Sequence, residues 1–495
     1  MATIFSGTRT WKPRLMNRPE ATTTILFFVI FITLTSISPV RFNPFKLSAD
    51  NSRTPTKKAK YPALHCPIEN QTQSCSTNFP TTFDRDDVDP PSTDACPDYF
   101  RFIHEDLRPW RTTGISREMV EKAKRRAVFR LVIVSGKVYV ENYLEPGYRD
   151  VFTVWGILQL LRRYPGRVPD LELLFDTFDQ PVIRSTEWNT TGPPALFRYG
   201  GDMWTRDLVF PDWSFWGWPS INIRPWEGLL NEIREGNSRS KWIEREPYAY
   251  WKGNPIVAET RRDLLKCNLS DTHDWNARLY AQNWTLESQI GYKTSGLANQ
   301  CTHRYKIYIE GFGWSVSEKY ILACDSTTLL VKPKFYDFFT RGLQPLHHYW
   351  PIRTDGKCKS IKFAVEWGNN HEQKAQSMGK AASDFIQQEL KMDYVYDYMF
   401  HLLTEYASLL NFEPQVPKGA VEVCSQSMAC SYKGTARKFM MESLVKEPSS
   451  TSPCIIPPDE PELLRNIHKR NVNLIRQVEK WEDKYWESTN SHSGS

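Results

Sequence analysis

The chain has 495 residues, 40% of them hydrophobic and 24% charged, so it is neither wholly disordered nor collagen-like. A mean hydropathy of −0.52 and a single long apolar run exclude a polytopic membrane protein. A net charge of +6 is too weak for a dedicated nucleic-acid binder. Aromatic residues stand out at 13%, with 18 Trp, 22 Tyr and 26 Phe, which calls for a large core or a surface that grips something flat.

The first twenty residues carry Arg9, Lys12, Arg14 and Arg18 against Glu20 alone, and 21–40 carry no charge. Twenty residues at ~1.5 Å rise span the ~30 Å of a bilayer core, and basic residues stay cytosolic. The expectation is a cytosolic tail (1–20), a transmembrane anchor (21–40) and a lumenal body. The rival is a cleaved signal peptide with 25–34 as its apolar stretch, against which stand the long basic leader and Pro39. Glycosylation triplets begin at Asn70, Asn189, Asn268 and Asn283. The ten cysteines lack zinc-finger spacing, so no metal is expected, and their even number in an oxidising lumen favours disulfides. The C-terminus has no retrieval signal, which favours a single-pass type II protein of the Golgi membrane over the endoplasmic reticulum.

Residues 41–95 are rich in Pro, Thr, Ser and Asp and read as a disordered lumenal stem. The stem holds Asp87-Val88-Asp89, but Pro90-Pro91 follow and no buried strand leads in, so it reads as an acidic linker. Order begins near Cys96. Ser116 starts a helix, 128–134 and 137–143 read as a hairpin about Ser135-Gly136, and 152–163 is helical. A short apolar strand at 171–175 runs into Asp176, Asp179 and Pro181, which sets acids at the end of a strand where α/β folds bind ligands. Further on, a strand at 305–309, the loop Gly311-Phe312-Gly313-Trp314, a helix opening at Ser315 with Glu318 at capping-box spacing, and a strand at 327–331 make one βαβ unit. That helix start suits phosphate, with Lys319 one turn in. Helices follow at 371–390, 392–410 and 462–486.

Several blocks together carry a resemblance. They are Glu105-Asp106-Leu107-Arg108-Pro109-Trp110, Pro169-Asp170-Leu171-Glu172 through Asp179-Gln180-Pro181, Phe210-Pro211-Asp212-Trp213-Ser214-Phe215-Trp216, Tyr250-Trp251-Lys252-Gly253-Asn254, the βαβ loop ending at Cys324, and Met392-Asp393-Tyr394. From about residue 96 to 410 the ordered set resembles the Rumi-like, capsule-associated glycosyltransferases of family 90. The resemblance implies an α/β, GT-B-like fold of two Rossmann-like domains facing a cleft. An acceptor and base domain would span 96–240, a nucleotide-sugar domain 241–445, and a charged tail or helix 446–495.

The resemblance also implies UDP-glucose or UDP-xylose as donor, inversion at the anomeric carbon and no metal or other cofactor. Asp179 matches the family base. An acceptor hydroxyl is a poor nucleophile until a carboxylate takes its proton, so the chemistry requires such a group. Ser315, Ser317 and Lys319, with Gly311 in the loop before them, match the helix that receives the diphosphate, and Lys252, Gly253 and Asn254 match a facing donor loop. Cys301 and Cys324 match a family disulfide. Family members that are protein O-glucosyltransferases carry Arg where Ser317 and Pro255 stand, which leaves the donor sugar open. Asp212, Trp213 and Trp216 are expected to line the acceptor or donor sugar, and His347-His348 to order the cleft edge of the second domain. The reading is a membrane-anchored lumenal inverting transferase that moves xylose or glucose to a hydroxyl of a glycan or protein. The alternative is a non-catalytic lumenal sugar-binding scaffold on the same fold.

Overall fold

The computed structural model describes Tyr61, Ala63, Leu64, Cys66, Cys75 and residues 94–188 and 192–493. Residues 57–495 form one unit. The expected anchor, Asp87-Val88-Asp89, Asn70 and Asn189 lie outside the described residues. No helix among those described is long and apolar enough to cross a membrane.

The described residues form thirteen strands, β1 (Phe129–Val134), β2 (Lys137–Asn142), β3 (Leu171–Phe175), β4 (Phe197–Arg198), β5 (Gly201–Asp202), β6 (Leu208–Val209), β7 (Glu246–Gly253), β8 (Ala277–Ala281), β9 (His303–Tyr308), β10 (Thr327–Val331), β11 (Phe335–Tyr336), β12 (Tyr349–Ile352) and β13 (Val421–Val423). The first sheet has the order β13-β2-β1-β3-β4-β6 and the second β12-β10-β9-β7-β8, while β5 and β11 pair by themselves. Every pairing in the second sheet is parallel. Numbered from β7, its order is 2-1-3-4-5, a doubly wound arrangement whose chain reverses direction between β7 and β9.

The first sheet departs from a Rossmann-like expectation. Each neighbouring pair along β13, β2, β1 and β3 is antiparallel, and the pairings of β3 with β4 and of β4 with β6 are parallel. The β1–β2 connection explains part of this. Ser135 (φ 51°) and Gly136 (φ 72°) are both left-handed, the geometry of a two-residue hairpin turn that follows strand twist. The C-terminal part of the expected 241–445 domain also packs elsewhere. The helix Met392–Ser408, β13 and the helix Gly434–Glu442 return to the first half, where Tyr398, Met399, Leu402, Phe439 and Met440 join its core.

All ten cysteines pair. Cys301–Cys324 forms as the resemblance implies, beside Cys66–Cys430, Cys75–Cys424, Cys96–Cys454 and Cys267–Cys358. Three bridges therefore tie residues before 100 to the returning C-terminal region. The Tyr61 hydroxyl donates to Arg162 O at 2.8 Å, so the described part of the expected stem is bound to the body. The helix Pro461–Ser493 also packs rather than trailing. Val478, Trp481 and Tyr485 join the second core, and Arg353 meets Asp483 at 2.7 Å.

The aromatic excess is mostly core. Trp110, Trp155, Trp213, Trp216, Trp226 and Trp350 are all fully buried, and truncating a ring at such a site costs about 3–5 kcal/mol. Trp216 packs so closely on Gly156 that a Cβ there would lie 2.6 Å from its ring.

Candidate active site

The site begins at the carboxyl end of β3. The helix that prepares it, Tyr148–Arg163, starts four residues earlier than its apolar period indicates, because the Asp150 carboxylate accepts the Gly147 N–H at 2.6 Å and fixes the first turn. The other Asp150 oxygen accepts the Thr177 hydroxyl at 2.5 Å. Asp176 accepts the Phe178 N–H at 2.9 Å and pairs with buried Arg198. Asp207 accepts the N–H groups of Val182 and Ile183, each at 3.0 Å, and lies 3.6 Å from Arg198. Burial pushes the Asp207 carboxyl up to about 6 despite Arg198 and the two N–H donors. The turn 176–183 is thus held at both ends by buried charge, with Asp179 half-buried at its apex. Asp176 belongs to this support and does not face solvent.

The Asp179 carboxylate accepts from Arg149 at 2.6 Å. The 309–316 loop of the second sheet closes against it. A Cβ on Gly313 would lie 2.3 Å from the Asp179 carbonyl oxygen, so glycine alone allows this approach, and the Gln180 amide donates to Phe312 O at 2.8 Å. Phe178 and Phe312, 59% and 62% exposed, stand on these two loops.

The second half supplies the β7/β9 reversal, the position where doubly wound sheets bind ligands. Loops 254–258 and 309–316 meet there, and buried Arg261 joins them. Its guanidinium donates to Glu310 O at 2.9 Å, Ile309 O at 3.0 Å, Ser315 Oγ at 3.0 Å and Asn254 O at 3.4 Å. Ser315 Oγ and Ser317 Oγ lie 2.9 Å apart, and the Ser315 N–H donates to Tyr308 Oη at 3.2 Å. Asn254 Oδ1 accepts the Ile256 N–H at 3.0 Å. Asn254, Gly311, Ser315 and Ser317 are thereby gathered around one guanidinium. The loop rests on buried acids. Burial pushes Glu310 up to about 7, although it accepts the N–H groups of Lys334 and Phe335, and burial with nearby Asp337 holds Glu318 well above the usual carboxylate range. The expected capping box is absent. Glu318 faces inward, and the helix Ser317–Leu322 begins after Val316 without a side-chain cap.

Other expected positions lie apart from this grouping, and Lys319, Asp212, Trp213 and Trp216 are corrected. Lys319 is fully buried, and its Nζ donates to Asp212 Oδ2 at 2.9 Å and Ser214 Oγ at 2.8 Å. Burial by itself lowers its pKa, but Asp212 and Tyr320 outweigh it and the net shift is upward. This pair joins the two halves, so neither Lys319 nor Asp212 presents its charge to a ligand. Trp213 and Trp216 are core. Trp213 lies among Tyr199, Trp218 and Trp314, and the Trp216 indole N–H donates to Tyr396 Oη at 3.0 Å. Lys252 turns to Thr294 O at 2.7 Å, and the Gly253 carbonyl accepts the Gln282 N–H at 2.7 Å. His348 packs on Phe385 and accepts the Gln344 N–H at 3.0 Å, which makes it a turn-holder. Burial and His347 lower its pKa to about 4. Asn283 is exposed and caps a helix through Leu286 N–H, while half-buried Asn268 accepts the Leu279 N–H. Among the described residues the one grouping of potential metal ligands is Cys96, His401 and Cys454, whose two sulfurs are joined to each other.

The sequence reading missed Arg149, Arg198, Asp207 and Arg261. Only Arg261 left a signal, as a basic residue shortly after Lys252-Gly253-Asn254. The others come together only through tertiary pairing.

Known proteins resemble this chain over about two thirds of its length. The chain is 25% identical to protein O-glucosyltransferase 1 of Bos taurus over 351 residues, which is 68% of this chain and 86% of that protein. Human protein O-glucosyltransferase 1 gives the same figures. The O-glucosyltransferase rumi of Drosophila melanogaster is 22% identical over 341 residues, 66% of this chain and 80% of its own. The model of glycosyl transferase family 90 matches residues 91–482, which takes in both sheets and both loops, and this chain belongs to that family of glycosyltransferases.

Proposed function

We propose that the protein transfers xylose or glucose from a UDP-sugar to a hydroxyl of a glycan or protein, with inversion, and with Asp179 as the general base. The observation that carries this reading is the meeting of the Asp179 turn with the 309–317 loop. It sets a carboxylate against a loop of hydroxyl, N–H and guanidinium donors at the β7/β9 reversal. Asp179 takes the acceptor proton. The acceptor oxygen bonds to the anomeric carbon while the bond from that carbon to the diphosphate oxygen breaks on the opposite face. Ser315, Ser317 and Arg261 meet the charge that develops on the leaving UDP. No metal is assigned to this step. The two sheets, each offering loops to a shared site, support a GT-B-like arrangement. Five disulfides, the basic leader and the apolar 21–40 run support a lumenal body on a type II Golgi anchor.

The test is UDP release by the full-length protein in detergent, with UDP-xylose and UDP-glucose, over an array of glycan and peptide acceptors. Asp179→Asn is expected to lower turnover by at least ~100-fold, the lower range for general-base catalysis. Wild-type turnover in that variant would remove Asp179 from the mechanism. Absence of binding to either UDP-sugar by calorimetry would favour a non-catalytic scaffold.

A further inference from the structure

We infer that Arg149 is the positioning residue of the reaction, holding one oxygen of the Asp179 carboxylate so that the other alone faces the acceptor hydroxyl. The inference rests on Asp179 being the base. Its ground is geometric. One nitrogen of Arg149 donates both to Asp179 Oδ1, at 2.6 Å, and to the Thr177 carbonyl, at 3.0 Å, so it grips the side chain and the backbone of one turn together. The guanidinium is itself immobilised. Its carbon lies 4.5 Å from the centroid of the Trp213 ring, which is fully buried among Tyr199, Trp218 and Trp314. Its backbone lies in the first turn of the helix Tyr148–Arg163, and the next residue, Asp150, binds the Thr177 hydroxyl.

The arrangement therefore runs from a buried indole through a planar cation to a carboxylate. A free aspartate samples several rotamers and offers either oxygen. A carboxylate with Oδ1 bound is restricted to one rotamer and offers Oδ2. Both side chains remain about one-third exposed, so the pair faces the site rather than the core. Trp213 acquires a role here that differs from sugar lining, because it supports the cation that aims the base. Lysine is a poor substitute, since an ammonium neither stacks as a plane nor directs two donors from a fixed fork.

The experiment uses the full-length protein in detergent and compares Arg149→Met, Arg149→Lys, Arg149→Ala and Asp179→Asn. Arg149→Met is expected to lower kcat by about 10- to 100-fold, the scale of a misplaced reacting group. The KM for UDP-sugar should stay within about twofold, because the donor loop is untouched. Arg149→Lys should recover part of kcat, and added guanidinium ion should restore turnover to Arg149→Ala in a saturable way. Melting curves show which variants fold. If Arg149→Met does not, Arg149→Lys and the guanidinium rescue decide. The inference is overturned if Asp179→Asn loses turnover while every folded Arg149 variant keeps it, or if KM rises with kcat unchanged. If Asp179→Asn keeps turnover, the reading of the base fails and this inference fails with it.

Discussion

The two loops that meet at the site are stabilised in different ways. The Asp179 turn is tethered many times over from within its own half. Asp150, Asp176 and Asp207 take its backbone and side-chain donors, and Arg149 and Arg198 take its carbonyls. The 309–317 loop has fewer ties, and most run to one side chain of the helix Glu259–Leu264, because Arg261 binds two of its carbonyls and one of its hydroxyls, beside the Glu310 carboxylate and the Gln180 amide. A proton-transferring carboxylate needs a fixed direction, and redundant tethers supply it. A loop that receives a large anion needs donors to spare, and one guanidinium orders it through two carbonyls and the acceptor side of one hydroxyl. The backbone of the Asp179 turn should therefore keep its place when one tether is lost, even where loss of Arg149 lowers turnover, and the 309–317 loop should not.

The strongest way to break the comparison acts on the joint between the halves. Lys319→Met leaves Asp212 buried and unpaired, and removal of one partner from a buried ion pair costs about 3–5 kcal/mol. Thermal or denaturant unfolding of Lys319→Met is expected to show a loss of that size. The double variant Lys319→Met/Asp212→Leu should regain most of it. A single variant as stable as wild type would show that this contact does not join the halves.

Next comes Arg261. Arg261→Met removes every donor to Ile309 O, Glu310 O, Ser315 Oγ and Asn254 O made by its guanidinium. The expected loss is about 100-fold in kcat/KM, or ~2.7 kcal/mol, and it should fall mainly on the KM for the UDP-sugar. This is the reverse of the Arg149 pattern, where kcat falls and KM holds. Initial-rate kinetics on both variants separate the two loops. If both variants lose the same parameter, the loops do not divide base and donor work.

How much of this was legible in the sequence follows from range. β3 and β10 end where their apolar runs end, because buried strands are written in consecutive residues. Ser116 announces its helix because its cap bond to Met119 N–H spans three residues. Asp179 and the 311–317 loop were visible through the family blocks. The return of 392–445 to the first sheet was hidden, because β13 is three residues long and pairs with a strand almost three hundred positions earlier. Lys319 misled for a related reason. In sequence it lies one turn into a phosphate-suited helix, but in the fold it meets Asp212, 107 residues away. The clustered tryptophans misled because composition does not tell a ring that lines a cleft from one that fills a core. The exposed rings beside Asp179 are Phe178 and Phe312, which belong to no cluster.

The smallest expected effect tests the donor half from inside its sheet. Lys306 lies on β9, the strand that carries the 309–317 loop, and is fully buried. The cation of the base turn, Arg198, has carboxylate partners, but among the described residues none pairs with Lys306, whose Nζ meets Cys324 Sγ at 3.4 Å. Burial, with Arg245 nearby, lowers its pKa from 10.5 to about 7. Between about pH 7 and 10.5 the unfolded chain then binds more protons than the folded one, so this lysine makes stability rise with pH across that window, and its full penalty is present below about 7. Lys306→Met keeps the chain length and removes the charge. It should melt about 2 °C above wild type at pH 6.5, with the gap narrowing toward pH 9. The KM for UDP-sugar should not move, because the loop's own contacts are intact. A variant that melts lower at pH 6.5 would mean that Lys306 stabilises the strand by packing and its charge is tolerated. A gap that holds from pH 6.5 to 9 would mean that the gain comes from methionine's packing rather than from removal of a buried proton.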